Sequence, residues 1–280
     1  MILVTGATGK VGSYAVKLLG DANVPTRAFV RDPARLSGTS PGVEVVTGNL
    51  DDAASVRDAL QGVDAVLLVT NANAKQELDV VAEAKALGVK KIVKISSMGA
   101  EASSKLTMAR GHAEVEAALK ASGMAWTSLR PGMFAQNFLQ FAPSIRQQSK
   151  FFASVRQGRA AMIDTRDVAE VAVKALLEAA YEGKTYLLTG PTAISYDEAA
   201  MLLSAALHKP VTYVDVPIEK TKKAMLERGT PAWLVDELAL IQENVAKTME
   251  PVITNDVHKV LGRHARRFED FARDYAAAFQ

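Results

Sequence analysis

Three glycines stand at a fixed interval near the start of the chain. Val4-Thr-Gly6-Ala-Thr-Gly9-Lys-Val-Gly12 places them directly after the apolar triplet Ile2–Val4 and directly before a helical stretch. In that context each glycine has a task. Gly6 permits a tight turn, Gly9 lets backbone approach a pyrophosphate, and Gly12 lets the helix pack close to the strand. The first amides of the helix and its positive dipole end then face the phosphates. Thr8 and Lys10 extend the expected phosphate contacts, with plain solvation the alternative for Lys10. The alternative for the whole segment is an ordinary glycine-rich turn. The ligand class implied is a nicotinamide dinucleotide.

A second pair bears on which dinucleotide. Arg31 and Asp32 end the apolar run Ala28–Val30. An arginine there accommodates a ribose 2′-phosphate, whereas a carboxylate accepts hydrogen bonds from the free hydroxyl. Asp32 before Pro33 also suits a turn or helix cap. NADP(H) is therefore preferred, and NAD(H) stays open.

Other chemistries are excluded or disfavoured. With no cysteine in 280 residues, disulfides, thiolate metal sites and thiol nucleophiles are ruled out. The four histidines lack ligand spacing: His208 precedes Lys209-Pro210, while His258 and His264 flank a glycine turn. No metal is expected. The net charge of +2, from 33 basic and 31 acidic residues, is too balanced for a nucleic-acid footprint. The cluster Arg263, Arg266 and Arg267 lies beside Glu269 and Asp270 and reads as a solvated helix start. No apolar run approaches the roughly 18 residues of a membrane span. Ile2–Val4 already reads as a strand, leaving no room for a signal peptide, so a cytoplasmic location is expected.

The elements that must position these residues follow from periodicity. Apolar runs at Ile2–Val4, Ala28–Val30, Val43–Val46, Ala65–Val69, Ile92–Ile95 and Trp126–Leu129 alternate with amphipathic stretches. Several runs lack polar alternation, as strands buried on both faces of a parallel sheet do. One helix, near Gln76–Leu87, places Leu78, Val81 and Leu87 toward the core and stops at Gly88; another runs from about Met108 to Ser122 and stops at Gly123. The fold class is α/β, a Rossmann-type doubly wound parallel sheet with ligand at the carboxyl ends of its strands. Strands at Ala160–Ile163, Thr185–Thr189 and Val211–Val216 follow, with a helix opened by Thr165 or Asp167 and a capping box at Ser195-Tyr-Asp-Glu198. Beyond Pro217 the pattern is mainly helical. Residues 1–150 are expected to form the dinucleotide-binding domain. Residues 151–280 would form a smaller, mainly helical α/β domain woven back into the first.

Thr-Gly-Ala-Thr-Gly-x-x-Gly resembles the glycine motif of the extended and atypical short-chain dehydrogenase/reductase superfamily. More narrowly, the chain resembles that superfamily's NmrA-like group, which includes NAD(P)H quinone reductases, dye reductases and redox-sensing regulators. The likeness extends through Val30-Arg31-Asp32-Pro33, Gly48-Asn49-Leu50-Asp51, Arg130-Pro131-Gly132-Met133-Phe134, Asp164-Thr-Arg-Asp167 and Tyr186-Leu-Leu-Thr-Gly190-Pro191. The resemblance implies that Arg31 faces the adenosine phosphate and that Asn49 and Leu50 lie near the adenine. It also places Thr70 and Asn71 beside the cofactor, with loop capping as their alternative. Ser96 and Pro131 join the implied cofactor contacts.

Ordinary members of the superfamily use a Tyr-x-x-x-Lys pair on one helix face. None of the six tyrosines here has lysine four residues later. On the stretch Met108-Ala-Arg-Gly-His112-Ala-Glu-Val-Glu116, Met108 takes the tyrosine position and His112 the lysine position. Reducing a ketone creates an alkoxide that needs a proton in the transition state. A quinone yields a phenolate, whose conjugate acid has a pKa of about 10, and a cationic dye becomes neutral. Such acceptors need only to be positioned over the nicotinamide. His112 could orient the ribose or stabilise developing charge; its alternative is a helix histidine paired with Glu116 one turn away. Ser97, beside Ser96 at the end of a strand, is the other catalytic candidate, with backbone capping its alternative. Met98, Met133, Phe134, Asn137 and Phe138, with Phe141, are the expected walls for a flat apolar acceptor; for Phe138 and Phe141 a place in the core is the equal alternative.

The expectation is a reductase that uses NADP(H), without flavin or metal, to pass hydride directly to a quinone-like or dye-like aromatic acceptor. Alternatives are a silent NADP(H)-binding redox sensor acting through a regulatory protein partner, and a biosynthetic reductase with some other proton donor. A homo-oligomer is left open. Neither nucleic acid nor membrane is expected as a partner.

Overall fold

The computed structural model describes residues 1–36 and 42–280, grouped into two units. The strands are β1 (Ile2–Val4), β2 (Thr26–Val30), β3 (Val43–Thr47), β4 (Ala65–Leu68), β5 (Lys91–Ile95), β6 (Ala125–Pro131), β7 (Lys150–Ala153), β8 (Arg159–Ala160), β9 (Lys184–Leu188), β10 (Ile194–Ser195) and β11 (Thr212–Asp215). The α-helices are α1 (Gly12–Asp21), α2 (Ala53–Ala59), α3 (Ala74–Ala86), α4 (Thr107–Ala121), α5 (Ala142–Gln148), α6 (Thr165–Leu177), α7 (Tyr196–Leu207), α8 (Ile218–Glu227), α9 (Ala232–Lys247), α10 (Asp256–Leu261) and α11 (Phe268–Asp274).

The first unit comprises Met1–Pro131, Thr165–Leu188 and Asp256–Arg263. Its seven strands run in the order β3-β2-β1-β4-β5-β6-β9. Every pairing is parallel, with Ile2 in register with both Thr26 and Ala65. Strand order reverses between β1 and β4, which makes their carboxyl ends the switch point where a doubly wound sheet takes its ligand. Helix α1 packs with α6, while α2, α3 and α4 pack in series. The core under α2–α4 includes Leu3, Phe29, Val66, Leu68, Ile92, Val115 and Leu119. Central strands β4 and β5 are buried throughout, β4 as an unbroken apolar run and β5 with Lys91 and Lys94 among its apolar residues. The Val43–Val46 run differs: β3 is a half-exposed edge strand, with one flank lacking a neighbour in the sheet.

The second unit comprises Gly132–Asp164, Thr189–Asn255 and His264–Gln280. The sequence-based cut at residue 150 falls inside it, because residues 135–148 pack into its core. That core is aromatic: Phe138, Phe151, Tyr196, Tyr213, Phe268 and Phe271 are all buried in it. β7 pairs parallel with β11, and β8 pairs antiparallel with β10. The run Ala160–Ile163 yields only the two-residue β8 and a single bridge from Ile163 to Phe134. The box at Ser195 forms as expected, with the Ser195 hydroxyl accepting from the Glu198 amide and the Glu198 carboxylate accepting from the Ser195 amide. Among the described residues no helix is long and apolar enough to cross a membrane.

Candidate active site

The glycine loop joins β1 to α1 at the switch point. Gly6 has φ +56°, a left-handed conformation natural to glycine, and a Cβ on it would stand 2.6 Å from the Val69 carbonyl oxygen. Gly12 is tighter, since its Cβ would meet the Gly6 carbonyl oxygen at 2.3 Å. Both positions are closed by backbone, which cannot give way. Gly9 is exposed, and its Cβ would find only Gly6 O, at 3.1 Å. Its surface is open, as a cradle for a pyrophosphate requires. Thr5 ties the loop to the neighbouring strand, its hydroxyl donating to Val69 O and accepting from Val69 N, both at 2.8 Å. No side chain caps α1 at Val11. Thr8 is half-buried and Lys10 exposed beside it.

Toward β2 and β3, Arg31, Thr47, Gly48, Asn49, Asp52 and Ser55 line an open cleft. The exposed Arg31 guanidinium has no hydrogen-bond or ion-pair partner among the described residues. Asp32 is engaged: its carboxylate accepts from the Ala34 amide at 3.0 Å and caps the 3-10 turn Pro33–Arg35. The competing carboxylate is thus a cap, and the arginine is the free group. A loose guanidinium at an open cleft fits a phosphate. Asp52 likewise caps α2 through Ala54 N, and Asn49 holds the next turn by accepting from Asp51 N. Gly48 is required locally, because a Cβ there would collide with Ser55 Oγ and the Phe29 ring. Leu50 is half-buried.

On the other side of the switch point lies a buried polar network that sequence reasoning missed. Thr70 follows β4, and its hydroxyl donates to Glu77 at 2.9 Å. Glu77 occupies the buried stripe of α3 shared with Val80, Val81 and Ala84. Lys94 lies in the middle of β5 with no exposure at all, and its ammonium is ion-paired with Glu77. Lys94 Nζ also stands 3.1 Å from His112 Nδ1 on α4 and 3.4 Å from the Ile95 carbonyl oxygen. His112 is itself buried. Burial and the Lys94 charge push the imidazole pKa down to about 3, against the opposing pull of Glu116.

His112 is therefore not the partner of Glu116 that helix spacing alone suggests. Glu116 is taken by Arg130 from β6, by the Ser96 hydroxyl at 2.6 Å and by the Ser128 hydroxyl at 2.6 Å. Burial raises its pKa, but Arg130 and the two hydroxyls outweigh that and hold it at about 2. Ser96, expected to face a cofactor, is buried with its hydroxyl committed to this carboxylate. Thr70 likewise commits its hydroxyl to Glu77. Ser97 and Met98 are half-buried beyond the end of β5, where Met98 N donates to the Pro131 carbonyl at 3.0 Å; Asn71 is exposed. A lone lysine within the apolar run Ile92–Ile95 was the available signal. Such a charge needs a buried counter-charge, and acidic residues on the packed helices could supply it.

The remaining expected walls belong to the second unit. Met133 and Phe134 are half-buried, with Met133 Sδ accepting from the Tyr196 hydroxyl at 3.6 Å. Asn137 lies on the 3-10 turn Ala135–Phe141. Phe138 is fully buried, with ring contacts of 4.9–5.5 Å to Phe141, Phe151, Tyr196 and Phe268. Of its two readings the structure takes the core. Its ring is surrounded by other aromatics and presents nothing to a ligand, while Phe141 is half-buried against the same cluster.

Comparison with known proteins agrees with this architecture. The NmrA-like family model matches residues 1–272. The chain is 38% identical to an NAD(P)H azoreductase of Xenophilus azovorans, covering 100% of this chain and 99% of that one. It is 37% identical to a (4-alkanoyl-5-oxo-2,5-dihydrofuran-3-yl)methyl phosphate reductase of Streptomyces griseus, with coverage of 100% and 99%. Among solved structures, the NADPH-dependent quinone oxidoreductase of Escherichia coli in complex with NADPH superposes with a TM-score of 0.83. That pair shares 31% identity over 98% of this chain and 99% of the other.

Proposed function

The chain belongs to the NmrA-like family, and on that premise we propose that it is an NADPH-dependent reductase that passes hydride directly to a flat, electron-poor acceptor such as a quinone or dye. The observation that carries the reading is the pairing of a glycine cradle after β1 with an unpartnered Arg31 after the neighbouring β2. The relatives named as azoreductase and quinone oxidoreductase support the acceptor class.

Each group has a defined task in this reading. The Gly6–Gly12 loop holds the pyrophosphate against the amino end of α1. Arg31 meets the 2′-phosphate, because a fixed guanidinium fork matches phosphate oxygens. Thr70, Asn71 and Ser97 border the other half of the dinucleotide at the ends of β4 and β5. When bound, NADPH supplies a hydride from its nicotinamide ring. No tyrosine–lysine pair stands ready to deliver a proton, and a His112 with a pKa of about 3 is no acid near neutrality. Acceptors whose reduced forms need no strong acid are the ones this site suits. Met98, Met133 and Phe134 are the apolar side chains assigned to such an acceptor.

The test is NADPH oxidation, followed by absorbance, against a panel of quinones, azo dyes and cationic dyes. Multiple turnover with at least one class is expected. NADPH binding with no turnover across the panel would overturn the reading in favour of a cofactor-sensing role.

A further inference from the structure

Lys94 and Glu77 form an ion pair that the reductase reading leaves unexplained. A lysine and a glutamate exposed by 0% and 1% are costly to desolvate, and hydrophobic residues of similar volume would commonly hold the fold as well. Their geometry shows what the pair does to its neighbour. An ammonium has three donors and no acceptor. Here the three have acceptors in Glu77 Oε2, the Ile95 carbonyl oxygen and His112 Nδ1. Burial lowers the Lys94 pKa, but the Glu77 carboxylate beside it favours the ammonium, and an ammonium can meet Nδ1 only if that nitrogen carries no proton. A neutral imidazole has a single N–H, so the proton sits on Nε2.

Nε2 has no partner among the described residues, yet it is not among their sealed, unsatisfied polar atoms. It reaches the accessible surface. Thr70, just after β4, is bonded to Glu77, and Ser96, just after β5, to Glu116. We propose that the Glu77–Lys94 pair is a positioning device that fixes His112 as a neutral Nε2–H donor, aimed at an oxygen of the bound cofactor or acceptor. The inference rests on the reductase reading for its target but not for the tautomer.

The charges around the ring pull its protonation in opposite directions. Lys94 from β5 opposes an imidazolium, whereas Glu77 from α3, with Oε2 3.9 Å from Nδ1, and Glu116 from α4 favour one. Both carboxylates are already engaged, Glu77 by Lys94 and Glu116 by Arg130 of β6. Burial then decides in favour of the neutral form. The donor stays constant across the range where an ordinary histidine, with a pKa of about 6.5, would change charge.

The tautomer is read by long-range 1H–15N correlation on the full-length labelled protein without cofactor, with His112 assigned from its loss in His112→Gln. The expected spectrum has a bare Nδ1 and a protonated Nε2, unchanged from about pH 5 to pH 8. Titration in that window, or a proton on Nδ1, overturns the proposal. The paired variant Lys94→Met with Glu77→Gln leaves no orphaned buried charge. It should raise the imidazole pKa, mix the tautomers and give turnover a pH dependence that the parent lacks, while Lys94→Arg retains the parental tautomer. If the paired variant does not fold, the parental spectrum alone decides.

His112→Ala separates the two oxygen sources. A rise of about tenfold in the NADPH Kd without acceptor indicates a ribose oxygen, and a similar fall in kcat at unchanged Kd indicates the acceptor oxygen. If neither the Kd nor kcat changes, the donor role is overturned. Since the spectrum needs no substrate, absence of turnover alongside the expected tautomer counts against the reductase reading alone.

Discussion

Arg130 holds Glu116 at both carboxylate oxygens, Nε donating to Oε1 at 2.9 Å and Nη2 to Oε2 at 2.6 Å. The pair links β6 to α4 directly behind Ser96, and the Glu116 side chain is 3% exposed. Removing the carboxylate strands a partly buried guanidinium and two hydroxyls. Glu116→Ala should cost about 3 kcal/mol in urea unfolding, with Glu116→Gln costing less because it keeps an acceptor. A loss within error of zero would mean the clasp is dispensable.

The same pair predicts a pH dependence. Glu116 has a folded pKa of about 2 against its ordinary 4.5. A depressed folded value means that the stabilisation is complete above about pH 4.5 and is lost as pH falls toward 2. The stability difference between the parent and Glu116→Gln should therefore shrink over that interval and stay level from pH 5 to 7. Denaturant midpoints measured at several pH values check this, and a constant difference down to the acid limit contradicts it.

Arg31→Ala should weaken NADPH binding by about 10- to 100-fold, the worth of one or two charge-assisted hydrogen bonds. NADH binding should change by less than about threefold, since Asp32 remains occupied as a cap. Fluorescence titration of both cofactors reads the contrast. Equal losses for the two would place Arg31 away from the 2′-phosphate.

The three motif glycines should fail in different ways. Gly12→Ala drives a Cβ into the Gly6 carbonyl at 2.3 Å, so a loss of stability of about 2 kcal/mol or more is expected. At Gly9 a Cβ meets only Gly6 O, at a tight 3.1 Å, so Gly9→Val should cost less stability than Gly12→Ala and leave the protein folded while dinucleotide binding is abolished. Calorimetry with and without NADPH distinguishes them. Retained cofactor stabilisation in folded Gly9→Val would remove the cradle assignment.

Phe138 and Phe134 should also separate. Phe138→Ala empties the centre of the aromatic core and should cost about 3–5 kcal/mol. Phe134 is half-buried; Phe134→Ala should cost about 1–2 kcal/mol and raise the acceptor KM. Thermal unfolding beside steady-state kinetics reads both. A KM change without a stability loss in Phe138→Ala would return that ring to the acceptor wall.

What the linear chain determined was whatever depends on neighbours in sequence. The Gly6-Gly9-Gly12 spacing, the Ser195–Glu198 box, the stop at Gly88 and the apolar runs of β4 and β5 all follow from local sterics and periodicity. The doubly wound sheet was legible for that reason. The partners of charged side chains were not, because they come from elements far apart in sequence. Helix spacing offered Glu116 to His112, but strand β6 brought Arg130 to Glu116 and strand β5 brought Lys94 to the histidine. The sequence preferred Arg31 over Asp32 for the ribose end without settling it, and in the structure the turn at Pro33 claims the carboxylate and leaves the guanidinium free. Phe138 had the composition of a pocket wall and became core, since the other aromatics that enclose it come from as far away as Phe268. A buried charge takes the counter-charge that the fold delivers within about 4 Å, and that choice is made only when the sheet assembles.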